Sequence, residues 1–204
     1  MDVAVNLVES YLRLNGYLTL SEIEVRARND LGTFDTLTDV DIVGVRFPGD
    51  TYVAESTTGP DARLLLIHDE VLDLTEERTD VLIGEVKQGE AVFNPTLAHP
   101  AVLHSVLRRF AWVYADGVAG VVDRLVSGGI SSDLARGGGE IRTRLVAFGR
   151  SAHPGLHTIP IGHVIASLVG FMESYDDVLR SAQFKEPGPA LLRLLVKSGF
   201  TVGR

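Results

Sequence analysis

Two carboxylates, Asp39 and Asp41, stand two residues apart at the head of an apolar, β-rich stretch, T-D-V-D-I-V-G-V (38–45). A strand's period of two puts both side chains on one face. Like charges that close repel unless a cation lies between them or water screens them. A solvated strand end is one reading, a divalent-cation site the other. A second stretch, G-E-V-K-Q-G-E (84–90), puts Glu85 and Lys87 two apart where an apolar run turns charged, so these also share a face. Asp41 from one strand and Glu85 from another offer the hard oxygen ligands that Mg²⁺ takes. Such an ion lowers the pKa of a bound water and steadies charge developing on a phosphoryl group. Lys87 then orients that water or neutralises the pentavalent state. The backbone carbonyl of Val86, between the two side chains, adds a ligand. The plain alternative for Glu85 and Lys87 is a same-face salt bridge of little energy.

The elements that must position these residues are legible from periodicity. Ala4, Leu7, Val8, Tyr11 and Leu12 fall at helical spacing, so 3–15 is predicted as a helix stopped by Asn15-Gly16. Residues 17–27 read as a strand, R-N-D-L-G-T-F-D-T as a polar turn, and 38–45 as the next strand. In that strand Val40, Ile42 and Gly44 are expected to face one way and Asp39, Asp41, Val43 and Val45 the other. Between 49 and 80, T-Y-V-A-E-S and R-L-L-L-I-H-D-E-V suggest a hairpin, followed by acidic D-L-T-E-E-R-T-D. Residues 81–89 read as a buried strand that surfaces at one end. The period then changes to 3.6, with Leu103, Val106, Leu107, Phe110 and Val113 striping a helix over 97–115. A short helix over 118–127, a surface loop over 127–140 and strands at 141–149 and 157–161 follow. A helix from 162 to 180 and a last one opened by Pro187 and Pro189 complete the chain. This order predicts a single α/β domain with a mixed central β-sheet flanked by helices.

The chain resembles the PD-(D/E)xK, or restriction-endonuclease-like, nuclease superfamily. That family runs from a Glu-bearing helix through a strand to an Asp-bearing strand, an E-x-K strand and a helix. Here the order is V-E-S-Y-L-R-L-N-G-Y, T-D-V-D-I-V-G-V and L-I-G-E-V-K. Glu9 followed by a Gly-Tyr turn into a strand looks like the archaeal Holliday-junction resolvase branch. The resemblance covers residues 1–115 closely; 116–204 follow it in outline, as strands and helices completing one domain over 1–204. It implies a DNA phosphodiester hydrolase dependent on Mg²⁺ or Mn²⁺. Asp41, Glu85 and Lys87 would be its catalytic set, and Glu9 an outer metal ligand. There are departures. Val40 stands where the family's name has Pro, and 43 residues separate Asp41 from Glu85. That gap requires an inserted hairpin and leaves Asp69 and Asp73 as weaker candidates for the first acid. Gln88 follows the lysine, where members often carry a polar residue facing the site. An E-x-K triplet alone is common; its place in this order carries the weight. A second reading is a catalytically silent nuclease-like module that binds nucleic acid or a protein partner. A third is a non-nuclease α/β protein whose acids are surface groups, Glu9 pairing with Arg13 at i,i+4.

Composition bounds these readings. The chain has 204 residues, 45% of them hydrophobic, and no cysteine. Disulfides, thiolate zinc sites and cysteine nucleophiles are excluded. The N-terminus, with Asp2 and Glu9 and no basic segment, does not read as a secretory signal, and no apolar run reaches the roughly 18 residues of a membrane span. A cytoplasmic protein without a membrane partner is expected. The net charge of −8 divides into −12 over 1–90 and +4 over 91–204. That balance argues against coating nucleic acid by charge alone, yet leaves room for basic contacts beside an acidic metal site. With no separate DNA-reading domain, specificity would come from a homodimer, the 49–80 insertion or a partner. His153, His157 and His163 have no carboxylate in register and read as surface or capping residues, as do His99 and His104. Gly137–Gly139 follow no predicted strand and are not read as a phosphate loop. Arg108 and Arg109 read as a solvated helix face.

Overall fold

The N-terminal apolar stripe does what its spacing requires. Helix α1 (Val3–Leu14) starts on Asp2, whose Oδ1 accepts the N–H of Ala4 at 2.7 Å, and buries Ala4, Leu7, Val8, Tyr11 and Leu12. The computed structural model describes residues 2–49, 66–92, 94–151, 157–176 and 186–200. After α1, strands β1 (Leu18–Arg28), β2 (Phe34–Arg46) and β3 (Arg78–Val86) form an antiparallel meander. The chain then passes through α2 (Pro100–Leu107), a 3-10 stretch (Arg108–Val113), α3 (Ala119–Gly128) and β4 (Ile130–Leu134) to β5 (Glu140–Gly149). β5 runs parallel to β3, the pairing that demands a long crossover. The sheet order is β1-β2-β3-β5-β4. A short strand β6 (Thr158–Pro160) pairs parallel with Ala147–Gly149, while β4 pairs with Glu140–Arg144. Helices α4 (Ile161–Ser174) and α5 (Pro187–Lys197) follow.

Two apolar clusters hold the layers. On one face, α1, α4 and α5 pack with Ile42, Leu82, Val86, Val146 and Phe148. On the other, α2 and α3 pack with Val43, Val45, Val81, Ile83, Ile141 and Leu145. The result is an α/β domain with a mixed sheet between helical layers. Among the described residues no helix is long and apolar enough to cross a membrane.

Five local expectations change. The helix expected over 97–115 is α for only Pro100–Leu107, capped by His99 Nδ1 on the N–H of Ala101 at 3.2 Å, and then tightens to 3-10 geometry. Aromatic and β-branched residues in R-R-F-A-W-V weaken α propensity there. The loop expected over 127–140 contains β4, an edge strand whose Ser and Asp residues need no apolar alternation. Gly138 (φ 90°) and Gly139 (φ 86°) adopt left-handed backbone in the turn into β5, so the three glycines do follow a strand. Val40 packs with Val43 and Val45 rather than with Ile42. The alternation breaks opposite Glu22, which sits at φ 52° between the Ser21–Ile42 and Ile23–Val40 pairs. The first arm of the hairpin expected after 49 lies outside the described residues. Of the second, Glu70–Leu72 forms a 3-10 turn capped by Asp69. Residues 177–180 of the helix expected over 162–180 are also outside them.

β3 is anchored to β5 by buried charge. Asp80, 1% exposed, faces Arg142 in register. Its Oδ1 accepts Arg142 Nε at 2.5 Å, and its Oδ2 accepts Arg144 Nη2 at 2.9 Å and the Tyr17 hydroxyl at 2.5 Å. Both guanidiniums also donate to the carbonyl of Leu72, and Arg142 pairs with Asp73 at 2.6 Å, so the segment before β3 is tied into the same network. Removing one member of a buried ion network strands the others without water. Asp80→Ala is therefore expected to lose about 3–5 kcal/mol of stability in urea unfolding. Tyr17→Phe, which deletes the bond to Asp80 and the one accepted from Arg144 Nη2 but leaves the ions paired with each other, should lose less, about 1.5–3 kcal/mol.

Candidate active site

The β2–β3 ladder closes at the Ile42–Gly84 pair, and Asp41 and Glu85 are the next residues on each strand. Gly84 permits this approach: a Cβ there would lie 2.6 Å from Ile42 Cγ2 and 3.1 Å from Phe148. Asp41 Oδ2 accepts the N–H of Val86 at 2.7 Å, which takes the place of a ladder bond. A strand residue's N–H and C=O leave on the same side, so the Val86 carbonyl emerges on the side of Asp41. The N–H of Lys87 points the other way, to the Phe148 carbonyl at 2.8 Å.

Glu85 is 2% exposed. Its Oε1 holds the Lys87 ammonium in a close ion pair; its Oε2 is buried with no hydrogen-bond partner. Burial pushes the Glu85 carboxyl above the usual carboxylate range; Lys87 pulls it back and the Asp41 charge adds to the rise. For Lys87, burial works against the ammonium, but the bond to Glu85 and the charges of Glu85 and Asp41 outweigh it and hold the group cationic. The arrangement joins two carboxylates, one backbone carbonyl and one permanent cation at adjacent strand ends.

The other residues singled out from sequence go elsewhere. Asp39 is exposed and lies opposite Glu24, so the two acids of the opening stretch part company: one is solvated, one is built in. Glu9 is 4% exposed, with Oε1 bonded to Arg13 at 2.8 Å and Thr19 at 3.0 Å and Oε2 to Ser21 at 3.4 Å. Its bonds are to α1 and β1 rather than to Asp41 or Glu85. Gln88 donates to Asp2 Oδ2 at 3.2 Å, at the start of α1. Asp73 serves Arg142, and Asp69 Oδ2 accepts from Tyr11 (2.9 Å), His163 Nε2 (2.7 Å) and Ser167 (2.9 Å). His163 thus has a carboxylate partner that spacing did not show, because Asp69 arrives from 94 residues away. Burial opposes the Asp69 charge, but these donors and the Val71 N–H outweigh it and hold the carboxyl below its ordinary range. This is no nucleophilic relay, since Ser167 and Asp69 meet the same ring nitrogen. Among the described residues, no group of three or more His or acidic side chains is placed to hold a metal.

The chain matches no protein-family model, no curated protein and no solved structure.

The raised Glu85 carboxyl has a consequence for stability. A group that binds its proton more tightly when folded lowers stability as pH rises through the folded value. Glu85→Gln removes that penalty. The metal-free variant is expected to melt above the wild type at neutral pH. Its advantage should vanish in acid, below the ordinary carboxylate pKa, where Glu85 is protonated in both states. Thermal melts across that pH range measure it, and an advantage that grew in acid would contradict the assignment.

Proposed function

We propose that this protein is a Mg²⁺- or Mn²⁺-dependent phosphodiester hydrolase acting on DNA, with Asp41, Glu85 and Lys87 as its catalytic set. The observation that carries the reading is Glu85 Oε2, a carboxylate oxygen buried without a partner beside a second carboxylate. Buried polar atoms are normally bonded, and one left open is accounted for by an ion or by chemistry. Asp41, Glu85 and the Val86 carbonyl are all hard oxygen donors, which suits a small divalent cation. They would hold it, and when bound it supplies Lewis acidity and a water of lowered pKa. Lys87 contributes no metal ligand. Its ammonium sits on Glu85, where it can hold a water by an N–H and offset negative charge growing on a phosphate. The β2 and β3 ends are fixed by the ladder, so these groups are preorganised rather than gathered by the substrate.

Calorimetric titration with Mn²⁺ and cleavage assays on DNA test the reading together. Lys87→Ala is expected to cut about 10²–10³ slower, the usual loss for one preorganised charge contact, while binding Mn²⁺ no worse than the wild type. Asp41→Asn should bind Mn²⁺ more weakly. Equal Mn²⁺ binding by Asp41→Asn and wild type removes Asp41 from the site. Cleavage by Lys87→Ala at the wild-type rate removes the mechanism. A wild type that binds Mn²⁺ but cuts neither DNA nor RNA is the silent nucleic-acid or protein-binding module instead. The engagement of Glu9 by Arg13, Thr19 and Ser21 is the observation that favours that outcome.

A further inference from the structure

β1 is an edge strand. It pairs with β2, and among the described residues no strand pairs with its outer edge. The β1–β2 pair also runs past the last β2–β3 partner, Ile42, as a two-stranded ribbon out to the Arg28–Phe34 pair. Two strands alone are marginal in water, and an open edge is a template for another strand. Along β1, Glu22, Glu24, Arg26 and Arg28 are exposed and alternate with the less exposed Ile23, Val25 and Ala27. At the tip, Leu31 is 89% exposed. At the other end of β1, an apolar groove is lined by Leu18, Leu20, Phe47, Phe110 and Trp112.

We propose that a second copy of this chain pairs its β1 antiparallel with this edge, about a twofold axis through Val25. The charges select that register. With Val25 on the axis, each Glu24 lies opposite an Arg26, and each Glu22 opposite an Arg28. Moving the axis to Glu24 or to Arg26 sets one like pair face to face and keeps only two opposite pairs, and moving it to Ile23 or Ala27 sets two like pairs face to face, against four opposite pairs with Val25 on the axis. Moving it by half a step sets the exposed side chains of one strand against the less exposed set of the other. The selected register has a second consequence. Beyond Arg28 each hairpin tip, Asn29–Thr33, runs alongside Leu18–Leu20 of the other copy, so each exposed Leu31 meets the other copy's apolar groove. An isologous contact of this kind uses one patch twice. In the single chain Glu24 already bonds Arg26, at 2.5 Å, and Thr36, so the cross-copy ladder exchanges partners and contributes little energy of its own. It sets alignment, and the burial of Leu31 with Leu18, Leu20 and Trp112 drives association. The axis stands perpendicular to the sheet, so both Asp41–Glu85 pairs open on the same side of one continuous sheet.

Light scattering and sedimentation equilibrium on the full chain without metal provide the test. The wild type is expected at about twice its 22.1 kDa monomer mass. Leu31→Asp should halve the mass while the chain keeps its wild-type circular-dichroism spectrum, because Leu31 touches solvent in the single chain. Glu24→Arg and Arg26→Glu should each yield monomer, and the two together should restore the dimer, since the swap recreates every opposite-charge pair. A monomeric wild type overturns the proposal, as does a dimer that survives Leu31→Asp. A double swap that folds yet stays monomeric overturns the register. Neither metal nor substrate enters these measurements, so their outcome is independent of the hydrolase reading.

Discussion

Asp80 is a carboxylate shut away from water between two guanidiniums, and the seating of the central strand depends on it. β3 and β5 are parallel neighbours joined by a long crossover through α2, α3 and β4, so no tight turn sets their register. The Asp80–Arg142 pair, with Arg144 and Tyr17 closing the remaining positions, makes one register far better than its neighbours. A one-residue slip would bury an uncompensated charge, a cost that apolar ladders alone do not impose. Because the same arginines reach the Leu72 carbonyl and Asp73, the segment entering β3 is held by the network that holds the strand.

The other end of β3 carries a second buried carboxylate under different terms. Both oxygens of Asp80 are bonded to buried donors. Glu85 has a partner for one oxygen only, a lysine half open to solvent. These acids lie five residues apart on one short strand, so fixing the first fixes the second. A fully satisfied buried charge is a structural device; an incompletely satisfied one is where ligands and chemistry are sought. The stability invested in Asp80 keeps Glu85, Gly84 and the Val86 backbone aligned with Asp41 despite the repulsion that two adjacent carboxylates bring.

The outer strands show how the same sheet treats exposure. β1 is apolar where it underlies α2 and charged where it meets solvent, and its one left-handed residue, Glu22, sits opposite Asp41. That distortion moves Val40 into the cluster of Val43 and Val45 and leaves Asp41 at the point where regular alternation fails. Irregular backbone beside a candidate site is a recurrent feature of strained functional positions.

Much of this was open to sequence reasoning, and the residues show why. The α1 stripe, the apolar run of β3 and the shared face of Glu85 and Lys87 follow from periods of 3.6 and two, which are local properties of backbone geometry; the face of Asp41 does not, because the alternation of β2 breaks beside it. The order of elements likewise implied a mixed sheet between helices. What local pattern cannot carry is which distant groups meet. Glu9 has the same spacing to Arg13 whether it faces water or β1; only the packing of α1 on Thr19 and Ser21 buried it. Asp69 finds His163, and Asp80 finds Arg142 and Arg144, because the crossover and α4 bring segments together that lie 62 or more residues apart. β4 was hidden for a related reason: an edge strand of Ser and Asp is stabilised by the ladder of its neighbour, not by its own side chains. The sequence by itself determined most of the elements, the buried face of α1, the shared face of Glu85 and Lys87 and the types of group at the strand ends. The tertiary structure decided which charges were satisfied and which were left open. Satisfaction depends on desolvation and long-range contact, and both exist only once the chain has folded.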